Sequence, residues 1–138
     1  MVLETTTKKQ VDGLCLRVIA AAIDVHKELG ANQPESLYHC CLKHELKGRG
    51  INFETEFYTS VKYKGTVLEV DLPVDFLVDG KVVVVIKTDS LIPEHTTQIL
   101  SYMKLLRAPK GMLLNFACNN LFHEGQRVVA NVHYQKLT

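Results

Sequence analysis

The sequence predicts an α/β sandwich built around a mixed sheet. Three observations carry that expectation. Apolar residues recur every three or four positions through the first third of the chain, then alternate every second position from Ile51. A valine-rich run at 82–86 leaves no polar side, as in a strand covered on both faces. A second helical pattern follows it, and then another apolar run. At 138 residues, 46% hydrophobic and 22% charged, the chain is expected to form one domain spanning 1–138 with a sizeable core.

Residues 9–29 place Leu14, Val18, Ala21, Ala22, Val25 and Leu29 on one helical stripe, and Gly30 stops the helix. Pro34 and Glu35 restart it, proline suiting a first turn and glutamate the positive end of the helix dipole. Gly48 and Gly50 end this second helix. Residues 51–63 read as a half-buried strand, Lys64-Gly65 as a turn, and 66–78 as a second strand with Pro73 at an edge or bulge. Asp79-Gly80 signals a hairpin into an interior strand at 81–87. Pro93-Glu94 opens a helix running to Arg107, and 110–117 reads as a buried strand. For 121–137, strand and short helix both fit.

The net charge of +1 gives no overall pull toward nucleic acid, although from Ser101 onward five Lys/Arg stand against the single acid Glu124. That stretch suits either a basic face or ordinary solvated charge. The four cysteines form no CxxC pair, so free, mostly buried thiols in a reducing cytoplasm are expected. No apolar run reaches membrane length, and the histidine spacings do not match a zinc site.

The chemistry concentrates in VDFLVDGKVVVVIKT. Asp75 lies near the end of one apolar stretch, a tight turn follows, and Lys87 ends the next; this is the layout of a metal-dependent nuclease site. Such a site needs a second carboxylate at position 85, where this chain has Val85. The register decides whether these residues meet. With a two-residue Asp79-Gly80 loop, Asp75 pairs with Val84, away from the face of Val85 and Lys87; a three-residue loop puts all three on one face. The Asp-Gly signal alone favours the first, and the nuclease layout requires the second.

The order helix, three strands, helix, strand, preceded by an extra N-terminal helix, resembles the restriction-endonuclease-like, or PD-(D/E)XK, superfamily. More narrowly, VHKELGANQPESLYHCCLKHEL, YKG, the segment around Asp75, QILSYMKLL and GMLLNF are similar in order and spacing to the bacterial GxxExxY proteins. Asn32 replaces the glycine of that name, while Glu35 and Tyr38 are kept; asparagine also tolerates left-handed backbone.

The resemblance implies Asp75 as main ligand of Mg²⁺ or Mn²⁺, Glu35 as auxiliary ligand, Lys87 as the charge near the scissile phosphate, and Gln98 as a helix residue facing the site. The helix dipole alone also accounts for Glu35, and a solvated helix face for Gln98. Tyr38 reads as a packed aromatic. Asp71 is about 13 Å along the strand from Asp75, too far to share an ion, while Asp89 and Glu94 have no spacing argument. With no side-chain partner at position 85, Lys87 is expected to contact Asp75 or Glu35. The whole implies a nuclease-like domain with an impaired or lost site that binds nucleic acid or a partner, a homodimer being compatible and a membrane not; the alternative is an active nuclease using Asp75, Lys87 and Glu35 with a displaced carboxylate.

Overall fold

The computed structural model describes residues 6–138. Helix α1 (Lys8–Leu29) begins at Thr7, whose hydroxyl accepts from the Gln10 N–H while the Gln10 side chain accepts from the Thr7 N–H. This reciprocal cap satisfies two donors that a helix start leaves open. Asn32 takes φ 67°, the left-handed conformation expected of it, before α2 (Glu35–Gly48).

Both of the long strands expected at 51–63 and 66–78 are cut. The first divides into β1 (Phe53–Glu54) and β2 (Phe57–Tyr63), with Glu56 between them at φ 62°. The second divides at Pro73, which has no N–H for a ladder, into β3 (Thr66–Leu72) and β4 (Phe76–Val78). β2 and β3 consequently form a separate two-stranded ribbon, while β1 and β4 join the main sheet. On one side of the ribbon, Phe57 and Leu72 pack against the core, but Val61, Tyr63, Leu68 and Val70 are exposed.

The main sheet runs β1-β4-β5-β6-β7, with β5 (Val82–Lys87), β6 (Lys110–Asn115) and β7 (Gln126–Ala130). Only β5 and β6 are parallel, joined over one face by α3 (Pro93–Leu106). The last segment contains both candidate elements: a π-helical turn at Leu121–Gly125 leads into β7, and the short α4 (Val132–Gln135) follows it.

Alternation along β5 divides the core. Val82, Val84 and Ile86 face α1 and α2, together with Phe76 and Val78; Val83 and Val85 face α3, together with Leu77, Ile99 and Met103. All six residues of β5 except Lys87 are buried, as the unbroken apolar run predicts. At Gly111, α3 comes so near β6 that an added Cβ would lie 2.7 Å from the Met103 sulfur. The thiols differ from expectation: all four are unpaired, yet only Cys15 is buried, Cys40 being exposed and Cys41 half-buried because they fall off the Tyr38–Leu42–Leu46 stripe of α2, and Cys118 half-buried in the loop after β6. No helix among the described residues is long and apolar enough to cross a membrane.

Candidate functional site

The β4–β5 hairpin closes with Val78 opposite Val82, Leu77 opposite Val83 and Phe76 opposite Val84. The loop therefore has three residues. Asp79 and Gly80 take φ 50° and 67°, and the Lys81 N–H returns to the Val78 carbonyl. The ladder ends at the Phe76–Val84 pair, one residue short of Asp75. Within the loop the Lys81 ammonium donates to the Asp79 carboxylate and carbonyl.

At Asp75 the backbone leaves the sheet and the side chain carries on the pairing. Its N–H donates to the Val84 carbonyl at 3.0 Å, and its Oδ2 accepts from the Ile86 N–H at 2.7 Å. Its Oδ1 lies 2.8 Å from Nδ1 of His39, one helical turn beyond Glu35 on α2. The imidazole is fixed a second time by stacking on Phe76, with centroids 4.7 Å apart and planes inclined by 11°. Asp75 is thus bonded through both carboxylate oxygens, one within the sheet and one to the helix layer.

Lys87 ends β5 half-buried, and its carbonyl accepts from the Phe116 N–H. Among the described residues it has no ion pair within 4 Å, so the expected contact with Asp75 or Glu35 is not made; His39 takes that place because α2 carries it directly over Phe76 and the sheet end. Val85 is 4% exposed and belongs to the core under α3.

Glu35 opens α2 in an exposed position. Partial burial raises its pKa, the nearby Asp75 and Asp89 carboxylates raise it further, and Lys87 and His39 act the other way. Five ionisable groups therefore share one field at this end of the sheet. Gln98 is exposed on α3, and no hydrogen bond links it to that group among the described residues. Asp71 lies exposed on the ribbon opposite Tyr58, and Glu94 is exposed in the first turn of α3. Tyr38 is fully buried: its hydroxyl donates to the Gly30 carbonyl and accepts from the Gln33 N–H, and its ring stacks on Phe116 at 4.3 Å. That is a structural role. It ties the α1–α2 corner together and so positions Glu35.

His39 is the residue that sequence reasoning missed. Its signal was available: i,i+4 spacing from Glu35 puts both on one helix face. As arranged, the donor set does not fit a bound Mg²⁺. Asp75 has both oxygens engaged by the protein, position 85 offers no lone pair, and no group of three or more His, Cys, Asp or Glu is placed to hold a metal among the described residues.

A family model of the PD-(D/E)XK nuclease superfamily matches residues 12–128, and the chain belongs to that superfamily. The crystal structure of SSO0001 is similar, with a TM-score of 0.52 and 25% identity over 70% of this chain and 49% of the other. The chain thus spans about half the length of that protein. No curated protein matches.

Proposed function

We propose that this is a nuclease-like domain of the GxxExxY type whose Mg²⁺- or Mn²⁺-dependent phosphodiesterase site is impaired or lost, and which works by binding nucleic acid or a partner protein. One observation carries the reading: Val85 stands where the second carboxylate belongs, while Asp75 is bonded to His39 and to the Ile86 N–H. A divalent ion at Asp75 would have to displace those bonds and would gain one carboxylate fewer to offset its dehydration. In this reading Lys87 and Gln98 are remnants of the catalytic set. Four unpaired thiols agree with a reducing cytoplasmic setting.

The second reading, an active nuclease using Asp75, Glu35 and Lys87 with a displaced carboxylate, has its own support. The Asp75 and Asp89 carboxylates both act on Glu35, the kind of field that a cation relieves, and Asp89 would be the displaced ligand.

Mn²⁺ titration and oligonucleotide cleavage by wild type, Val85→Glu, and Val85→Glu with Asp75→Ala separate the two. Wild type should bind Mn²⁺ in the millimolar range or weaker, on the order found for ligand-poor sites, and should not cleave. Val85→Glu should bind more tightly, and the added Asp75→Ala should abolish that gain. Metal-dependent cleavage by wild type that is lost in Asp75→Ala would establish the active reading instead.

A further inference from the structure

The end of the sheet farthest from Asp75 gathers cations that the nuclease-like site does not use. Lys81 comes from the β4–β5 turn, Lys104 and Arg107 from the last turn and cap of α3, and His133 from α4; together they line a cavity of about 440 Å³. The rest of its lining is Thr6, Pro109 and Leu137, with no carboxylate. A second cavity of about 420 Å³ shares Thr6 and Lys81 and adds Lys9 and Arg17 from the first half of α1. Its one acid, Asp79, is already bonded to Lys81 at 3.2 Å.

Four of the Lys/Arg cations here have no ion pair, and the fifth, Lys81, is bonded through its ammonium only to Asp79 of its own turn among the described residues. Lys110 is bonded to Asp12 at 3.2 Å and lies 3.6 Å from the Tyr134 ring centroid, and Arg127 donates to Thr96 and to the Ile92 carbonyl. Lys9, Arg17, Lys104 and Arg107 have no ion pair within 4 Å among the described residues. In a chain of net charge +1, this is a local concentration of positive charge. The basic bias after Ser101 therefore divides into Lys110 and Arg127, which have internal partners, Lys104 and Arg107, which line a cavity, and Lys136, which belongs to neither set.

We infer that these two adjoining cavities form an anion site for successive phosphate groups of a linear phosphate chain, separate from the Asp75 cluster. Lys81, itself bonded to Asp79, lines both cavities, whose unpaired Lys/Arg charges among the described residues are Lys9 and Arg17 on one side and Lys104 and Arg107 on the other. Arg107 supplies a planar fork suited to phosphate oxygens, and the lysines supply point charges. A chain of regularly spaced charges can span both cavities, which a single small anion cannot. The backbone of a single-stranded nucleic acid and an inorganic polyphosphate have this chemistry in common.

The test measures binding of a labelled single-stranded oligonucleotide by fluorescence anisotropy, with inorganic tripolyphosphate and polyglutamate as competitors. The proteins are wild type, the Lys104→Glu/Arg107→Glu double variant, whose positions are exposed, and Asp75→Ala. Circular dichroism checks that each is folded. The double variant should bind at least about ten-fold more weakly, with a salt slope shallower by about 1.4 for two lost phosphate contacts; Asp75→Ala should bind like wild type. Tripolyphosphate should compete and polyglutamate should not. Binding of tripolyphosphate without the oligonucleotide would assign the site to free polyphosphate. Unchanged binding by the double variant, equal competition by polyglutamate, or no binding of either phosphate probe to wild type would overturn the inference. Because the double variant should leave Mn²⁺ titration at Asp75 unaltered, this result is independent of the nuclease question.

Discussion

Replacing Asp75 by alanine removes two hydrogen-bond acceptors at once. The Ile86 N–H, in a residue with no exposed surface, loses the carboxylate oxygen it donates to at 2.7 Å. An orphaned buried donor costs about 1–3 kcal/mol. The bond to His39 adds about 1 kcal/mol, kept low because that side chain is 32% exposed. The total is about 3 kcal/mol, a large share of the ~5–15 kcal/mol that holds a domain folded. At about 4 °C per kcal/mol for a chain of this size, Tm should drop by roughly 10 °C. Asparagine keeps an acceptor for Ile86 and should cost about 1 kcal/mol. Urea unfolding followed by circular dichroism, in chelator, measures both. The sign carries the argument. In a site held ready for a metal, removing one of several mutually repelling carboxylates stabilises the metal-free protein. An Asp75→Ala protein as stable as wild type, or more so, would refute the claim that this carboxylate has become part of the sheet's own bonding.

His39→Ala should destabilise by about 1–2 kcal/mol through loss of the Asp75 bond and the Phe76 stack, and should be less than additive with Asp75→Ala in a urea double-mutant cycle. Glu35 has its carboxyl pKa raised on folding, so the folded chain holds its proton to higher pH and stability falls as pH rises from the unfolded carboxylate value, about 4.3, through the raised one. Glu35→Gln should therefore raise Tm at pH 7, and the gain should vanish below about pH 4. Gly111→Ala drives a methyl against Met103 and Ile99 and should cost about 1–3 kcal/mol in the same unfolding assay.

Periodicity located α1, α2, α3 and the interior strand, because each buries a continuous stripe or both faces; the short helical turns after Leu121 bury too little to show a period. It did not separate β2–β3 from the main sheet. An alternating pattern reports a half-buried face and is blind to which sheet owns it, so only the backbone at Glu56 and Pro73 made the division. Asp75, Val85 and Lys87 were legible as a group because one hairpin carries all three. The choice between loop registers was not, since the Asp-Gly pair alone favours the shorter loop and only the ladder pairs show the longer one. His39 went unnoticed because its partner lies 36 positions away; its i,i+4 spacing from Glu35 marked the helix face but not the partner.

The bond from the Asp75 carboxylate to the Ile86 N–H spans only 11 positions of sequence, inside a single hairpin. Its ends need little loop closure to meet, so it can form as soon as that hairpin does. The bond from Asp75 to His39 waits for the α2 layer to dock. The carboxylate thus has its place before its helix partner arrives, and changes in α2 or its corner should alter how the cluster is completed while leaving Asp75 where the hairpin set it. In kinetic terms, substitutions at His39 should act mainly on the unfolding rate, and those at Asp75 on folding as well.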